Sequence, residues 1–212
     1  MTKFFPAADA ATLVRLGVTD LGESRDQEAG AKVEDLVREL EPEARPTMHM
    51  VGQVQTKKAR SVLRWADVVH SVDRPKLVNA LDRATERAIE EGDRSRPLDV
   101  LVQVDLDGGQ AEGRGGVTPA AAAELAGSIA ATDHLRLRGT MAVAPAAAAG
   151  DDVALGQAFA HLQQLHEDIR SEHPDAQWLS AGMSGDLEHA VTAGATHLRV
   201  GSGILGSRPP QR

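Results

Sequence analysis

The chain has 212 residues with 42% hydrophobic and 25% charged residues, and its formal net charge is −8. It contains no Cys, which excludes disulfides and thiol chemistry, and no Tyr, which excludes a phenolic acid or base. The acidic charge argues against a nucleic-acid partner, and no apolar run reaches the ~20 residues of a membrane-spanning helix. We therefore expect one globular domain over residues 1–212, with a frayed tail at 208–212. We expect the protein to lie in the cytoplasm and to bind neither nucleic acid nor membrane.

Short apolar segments alternate with longer amphipathic segments along the whole chain. Strands are predicted at residues 18–22, 48–52, 68–72, 100–106, 137–144, 177–181 and 197–201, and helices at 27–40, 55–65, 75–91, 119–131 and 153–171. This alternation is typical of βαβ units in a parallel sheet. An eighth strand fits only at residues 1–5, and eight units predict a (β/α)8 TIM-type barrel. An open doubly wound sheet is the alternative, although no G-x-G-x-x-G motif follows an early strand.

Glycine and serine residues follow the last two predicted strands. Ser184 stands where a helix is predicted to begin, and Gly201, Ser202 and Gly203 come directly after the final strand. A helix cap or a turn explains either motif alone. Because both lie where barrels of this class bind phosphate, together they favour a phosphate-binding site.

Three further side chains are candidates for the mouth of the barrel. Lys3 lies at the predicted first strand, where partial desolvation would make it an imine-forming amine, although a solvated terminal Lys is the simpler reading. Alternation along residues 197–201 places Arg199 toward the mouth, the alternative being a surface salt bridge. His49 is either a polar ligand or a satisfied interior histidine. The acidic and histidine residues show no metal-ligand spacing, so no metal is expected.

The chain resembles the pyridoxal 5′-phosphate (PLP) homeostasis proteins of the YggS type, which are similar to the barrel half of alanine racemase. The resemblance runs from about Thr2 to Arg208. Its blocks are TKFFP, LGESRDQEA, MHMVGQVQTKKA, HSVDR, VLVQVDL, LRGTMAVAP, LSAGMSGDLEHAV and LRVGSGILGSR. It implies a PLP fold-type III barrel that holds PLP as a Schiff base.

The resemblance also implies roles for particular residues. The Schiff-base lysine would be Lys3, and Ser184, Gly201 and Ser202 would hold the phosphate. Arg199 would face the pyridine nitrogen, and because Arg does not give up its proton the ring would be a weak electron sink. Ser24 and His49 are further candidate cofactor contacts, since they lie in two of the blocks that carry the resemblance, LGESRDQEA and MHMVGQVQTKKA.

The sequence departs from the family pattern at several of these blocks. Ser24 replaces an Asn in the family's G-E-N motif, and the pattern W-H-F/I-x-G has become Met48-His49-Met50-Val51-Gly52. Lys57 replaces an Asn, and Arg114 replaces a loop Lys. Family members normally have a helix and a full first strand before the lysine. We therefore expect an N-terminally truncated barrel with two exposed sheet edges.

Two functions follow from the resemblance, and the third alternative is a barrel that has lost cofactor binding together with its N-terminal segment. The first is a monomeric PLP-binding protein of intracellular PLP homeostasis, with PLP-dependent apo-enzymes as candidate partners and without established turnover. The second is a PLP-dependent amino-acid racemase. Racemases of this fold use a Lys and a Tyr as opposing bases, and this chain has no Tyr. A racemase would need another second base, for which His49 is a weak candidate.

Overall fold

The structure, a computed structural model, describes residues 1–109 and 115–207. Arg114 and the predicted frayed tail, residues 208–212, lie outside the described residues. The strands are β1 (Asp20–Glu23), β2 (Thr47–Met50), β3 (Val68–Val72), β4 (Leu98–Val104), β5 (Leu135–Ala142) and β6 (Trp178–Ser180). The helices are α1 (Ala7–Arg15), α2 (Asp26–Glu39), α3 (Ala59–Leu63), α4 (Pro75–Glu90), α5 (Pro119–Ala130), α6 (Asp152–Glu172), α7 (Leu187–Thr192) and α8 (Ser202–Leu205).

The described strands form one parallel sheet in the order β1-β2-β3-β4-β5-β6. This order confirms the predicted βαβ repeat, and six parallel strands in chain order fit a TIM-like barrel. Three of the helix starts, those of α4, α5 and α6, follow ordinary capping rules. Pro75 and Pro119 occupy the first helical position of α4 and α5, and the Asp151 carboxylate accepts the N–H groups of Val153 and Ala154 at the start of α6.

Two of the predicted strands are not strands in the structure. In the segment 197–201, one parallel bridge joins His197 to Ser180. The backbone N–H of Arg199 then donates to the Gly182 carbonyl, and beyond this bond the chain leaves the sheet. In the segment 1–5 the chain turns at Lys3: the Phe5 N–H donates to the Thr2 carbonyl at 3.0 Å. The sequence analysis also missed α1, whose nine residues are rich in Ala.

The N-terminal segment lies between the two edges of the sheet. The Thr2 N–H donates to the Gly22 carbonyl of β1 at 3.0 Å. The Met1 nitrogen donates to the Val200 carbonyl, beyond β6, at 2.7 Å. The first two residues therefore contact both sides of the sheet, although each side receives a single backbone hydrogen bond from them.

The sheet buries apolar side chains on both of its faces. The larger cluster lies between the strands and the helices and includes Leu21, Val100 and Phe159. A smaller cluster contains Val68, Leu101 and Met141, with Trp178 packed against it. Burial on both faces explains why β3 and β4 are rich in apolar residues, and every residue of the two strands is buried. Among the described helices, none combines the length and apolar character required to span a bilayer.

Candidate cofactor site

Lys3 lies in the turn that follows the hydrogen bonds of Thr2 to β1. Its side chain is half-buried, and its Nζ atom lies 4.5 Å from the centroid of the Phe4 ring, which is a cation–π distance. Phe4 has φ +74°, a left-handed conformation that is rare for a bulky residue. The strained residue therefore directly follows the lysine that the sequence analysis selected.

A buried ion pair fixes the backbone in front of Lys3. Lys32 Nζ, from α2, donates to Glu23 Oε1 at 2.6 Å and to the Thr2 carbonyl at 2.7 Å. The Thr2 hydroxyl donates to the same Glu23 oxygen at 2.6 Å. Glu23 and Thr2 are completely buried, and Lys32 is nearly so. The residue that precedes Lys3 is thus held through its N–H, its hydroxyl and its carbonyl.

The two predicted phosphate motifs lie side by side. Ser184 Oγ accepts the Gly203 N–H at 3.3 Å and the Ser202 hydroxyl at 3.4 Å. A Cβ atom at Gly203 would lie 3.1 Å from Val200 Cγ1 and 3.4 Å from Ser184 Oγ, so glycine allows this close approach. Ser184 is not a helix N-cap as predicted. The cap of α7 is Asp186, and Ser184 lies in the turn before it.

Arg199 is a buried cation at the carboxyl ends of two strands. Its Nη1 donates to Ser180 Oγ, on the last residue of β6, at 2.9 Å. Its Nη2 donates to the carbonyl of Ala142, the last residue of β5, at 2.8 Å. Burial lowers the pKa of Arg199 to about 10, although the Asp186 carboxylate opposes this shift. The guanidinium therefore remains charged at neutral pH.

A series of hydrogen bonds links Arg199 to side chains of β6, β3, β2 and β1. We call Asp20, His49, His70, Ser180 and Arg199 the interior network. Ser180 Oγ lies 3.0 Å from His70 Nδ1. His70 Nε2 lies 2.8 Å from His49 Nδ1, and His49 Nε2 lies 2.9 Å from Asp20 Oδ1. The network thus joins the first residue of β1 to the last residue of β6.

Burial determines the charge state of His70, and hydrogen bonds determine that of Asp20. Burial lowers the pKa of His70 well below the ordinary value of imidazole, and electrostatic interactions with His49 and Arg199 lower it further. Burial alone would raise the pKa of Asp20, but hydrogen bonds from Thr19 and His49 outweigh it, so the net shift is downward. At neutral pH His70 is therefore a neutral imidazole and Asp20 is a carboxylate.

Sequence reasoning selected His49 and Arg199 but missed His70 and Ser180. Both ring nitrogens of His49 are hydrogen-bonded within the protein, as for a satisfied interior histidine. His70 and Ser180 are 110 residues apart, so no local motif indicates that they meet. Ser24 follows β1, and its Oγ is buried without a hydrogen bond to any residue that the structure describes. An orphaned hydroxyl of this kind is a candidate contact for a ligand.

Comparison with known proteins identifies the family. The family model described as alanine racemase, N-terminal domain, matches residues 3–209. A pyridoxal phosphate homeostasis protein of Mycobacterium tuberculosis is 45% identical over 98% of this chain and 81% of its own length. The chain belongs to the pyridoxal phosphate homeostasis protein family. The homologue of Corynebacterium glutamicum is 44% identical over 99% of this chain and 89% of its own length.

A solved structure extends the similarity to the fold. PipY of Synechococcus elongatus, determined with PLP bound, superposes with a TM-score of 0.82 at 31% sequence identity. The match covers 97% of this chain and 90% of PipY. The structure of PipY without PLP gives a TM-score of 0.84. The family resemblance stated from the sequence blocks is therefore confirmed, as is the α/β fold of the alanine racemase N-terminal domain.

Proposed function

We propose that this protein binds PLP and acts in PLP homeostasis, with Lys3 as the Schiff-base lysine. One observation carries the assignment of the site. A buried, charged Arg199 lies at the carboxyl ends of β5 and β6, in the same short segment as Ser202, which contacts Ser184. Cation and hydroxyl groups so arranged fit the ring nitrogen and the phosphate of PLP. The homology to a protein solved with PLP bound supports the same conclusion.

Each candidate residue then has a distinct task. The Ser184 and Ser202 hydroxyls and the backbone at Gly201 would bind the phosphate, and the orphaned Ser24 hydroxyl would gain a partner from the ligand. The Thr2 backbone, held by Glu23 and Lys32, would orient the Lys3 amine. His49 would not touch the cofactor. It would act on Arg199 through its hydrogen bonds with His70 and, beyond that, Ser180.

PLP, when bound, supplies an aldehyde that condenses with amines and a ring that withdraws electrons. Arg199 would determine how strongly the bound ring withdraws electrons. A guanidinium donates a hydrogen bond but keeps its proton at neutral pH, so the ring nitrogen would stay unprotonated. This arrangement favours holding and delivering the cofactor over demanding carbanion chemistry.

The racemase alternative receives no support from the described side chains. Its candidate second base, His49, has one ring nitrogen bonded to Asp20 and the other to His70. A base must have a free nitrogen within reach of the proton that it abstracts. The chain has no Tyr to take that part.

The same proposal includes the complete barrel, the oligomeric state, the cellular location and the transfer of PLP. We infer that the segments 1–5 and 197–201 complete the ring of an eight-unit PLP fold-type III barrel, supported by the bonds of Met1 to Val200 and of Thr2 to Gly22. We also propose a monomer in the cytoplasm that passes PLP to apo-enzymes. Sedimentation at equilibrium tests the monomer, and reconstitution of an apo-enzyme by the PLP-loaded protein tests the transfer.

The decisive experiment mixes the purified protein with PLP and records the absorbance of a protonated Schiff base near ~420 nm. We expect the band in the native protein and its loss in Lys3→Ala. Lys76→Ala, which removes an exposed lysine of α4, is the matched control and should keep the band. Borohydride reduction followed by peptide mass mapping should locate the label on Lys3. A label on another lysine, or no band in the native protein, would refute the assignment.

A further inference from the structure

The interior network can be given a direction from its donors and acceptors. The Asp20 carboxylate only accepts, so His49 carries its proton on Nε2. His70 is neutral, so one of its nitrogens donates and the other accepts. Arg199 only donates, so Ser180 Oγ accepts from it and still has one proton to give.

One arrangement satisfies every donor in the network. Ser180 donates its hydroxyl proton to His70 Nδ1, His70 donates from Nε2 to His49 Nδ1, and His49 donates from Nε2 to Asp20. All the bonds then point from Arg199 toward Asp20. Bonds aligned in this way polarise and strengthen one another in a medium of low dielectric. His70 and Ser180 are buried, at 2% and 0% exposure, so water does not compete with them.

We propose that Asp20, His49, His70 and Ser180 are positioning residues that hold Arg199 in the orientation in which it meets the pyridine nitrogen of the cofactor. This inference rests on the proposed function and deepens it. The structure gives the Arg199 guanidinium two acceptors, Ser180 Oγ and the Ala142 carbonyl, on the last residues of neighbouring strands. Two fixed acceptors define the plane of the guanidinium and leave its other donors for the ligand.

An added proton on His49 would reverse the network. His49 would then donate from both nitrogens, and His70 would accept on Nε2 and donate from Nδ1 to Ser180. Ser180 Oγ would accept from both Arg199 and His70, and its own hydroxyl proton would lose its acceptor within the network. The orientation of Arg199 is thereby coupled to the number of protons on the histidines.

Other rings and charges also face the network. The His197 ring lies 6.1 Å from the His49 ring and 6.2 Å from the His70 ring, between centroids. It packs at 4.7 Å on Trp178, and the Arg138 guanidinium also lies over Trp178 at 4.4 Å. A positive charge on any of these groups disfavours another on the histidine pair, which favours the one-way arrangement.

The direction can be measured without PLP. In ¹⁵N-labelled protein at pH 8, long-range ¹H–¹⁵N correlation spectra report which imidazole nitrogens carry protons. We expect the proton on Nε2 in both His49 and His70. A His70 proton on Nδ1, or a doubly protonated His70, would overturn the inference. His161→Gln changes an exposed histidine of α6 and should leave both signals in place.

The effect on Arg199 is measured with PLP bound. We expect Ser180→Ala to shift the absorbance maximum of the bound cofactor and to weaken its retention about ten-fold, as for one lost charge-assisted hydrogen bond. Ser180→Thr keeps the hydroxyl and should restore both values. Asp20→Asn, which allows an amide to donate to His49, should shift the maximum in the same direction as Ser180→Ala. His161→Gln should change neither value.

The outcomes separate the two proposals. A native Schiff-base band together with unchanged maxima and retention in Ser180→Ala and Asp20→Asn would overturn the positioning role while the proposed function stands. Absence of the band in native protein would refute the proposed function, and the spectra without PLP would still decide the direction of the network. Thermal unfolding of each variant shows whether it is folded. If Ser180→Ala is not folded, the long-range ¹H–¹⁵N spectra of the native protein decide whether the proposed network is correct.

Discussion

Glu23 and Lys32 show at the scale of single residues how the fold holds the N-terminal segment. Both are buried, and the only cation within hydrogen-bond distance of the Glu23 carboxylate in the described structure is the Lys32 ammonium. Removing one partner of a buried pair leaves the other charge uncompensated, whereas an exposed pair contributes little. The Glu23 Oε2 atom has no hydrogen-bond partner among the described residues, so this carboxylate depends on the bonds at Oε1.

We expect Lys32→Ala to lower the free energy of unfolding by about 3–5 kcal/mol. The reason is the buried Glu23 charge that remains, together with the lost bond to the Thr2 carbonyl. Urea denaturation measures the change. Arg38→Ala is the control, because both side chains of its 2.9 Å ion pair with Asp35 are exposed, and it should cost less than about 1 kcal/mol.

The double variant Glu23→Gln/Lys32→Met tests the cause. With both charges removed it should recover much of the stability that Lys32→Ala loses. If the double variant is as unstable as the sum of its single variants, the loss comes from packing and not from an uncompensated charge.

At the scale of elements, β5 contains a bulge that redirects one side chain. The register passes from Val100–Leu137 to Leu101–Gly139, so Arg138 has no partner of its own on β4. Gly139 has φ +147°, and a Cβ atom there would lie 1.8 Å from the Trp178 carbonyl oxygen. The bulge thus places Arg138 over Trp178 and allows β6 to approach β5 closely.

Gly139→Ala should therefore destabilise the protein by at least ~2 kcal/mol, because β6 must move away or the backbone must change its conformation. Gly127→Ala is the matched control. Gly127 lies in α5 with open space at its Cβ position, so alanine there should raise stability by roughly 0.4–1 kcal/mol. Thermal or urea unfolding distinguishes the two signs. Equal effects at the two positions would contradict the role assigned to the bulge.

The elements also show what the sequence could and could not predict. β3 and β4 were found from their apolar runs because both faces of each strand are buried. A strand at residues 1–5 was predicted only because an eighth unit requires one, but Phe4 takes a positive φ and the chain turns there. The segment 197–201 keeps a single bridge because it follows β6 only as far as Gly182.

The site also contains residues that the local sequence predicts and residues that it does not. Ser184, Ser202 and Arg199 were selected because they stand in or after predicted strands, and such positions can be read along the chain. His70 lies in the middle of an apolar strand, and its role depends on Ser180 far away in the sequence. Contacts of this kind arise from the closing of the sheet, so no local pattern predicts them.

At the scale of the whole molecule, buried histidines link stability to pH. Burial is the largest cause of a lowered pKa at His70, His166 and His197. The pKa of each is lower in the folded protein than in the unfolded chain, where it is about 6.5. The unfolded chain therefore binds more protons below that pH, and the free energy of unfolding falls as the pH falls.

We expect stability to be nearly constant from pH 8 to pH 7 and to decline below about pH 6.5, by up to about 1.4 kcal/mol per pH unit for each of these histidines. Urea titrations at a series of pH values measure the slope. His166→Gln should reduce the slope, whereas His161→Gln, at an exposed position, should not. A stability that rises between pH 6.5 and pH 5 would contradict this account. The lowered pKa of Asp20 acts at more acidic pH, where its own contribution is lost.

The bond between Met1 and Val200 has a consequence for the order of folding. Strands that are neighbours in the sheet are also neighbours in sequence, so each pairing from β1 to β6 closes a loop of a few tens of residues. The Met1–Val200 contact spans 199 residues, about three doublings more, which adds roughly 2 kcal/mol of loop-closure entropy. We therefore expect the sheet to grow strand by strand and the bond that joins its two sides to form last. Because Lys3 lies next to that bond, its surroundings are complete only when the final step of folding has occurred.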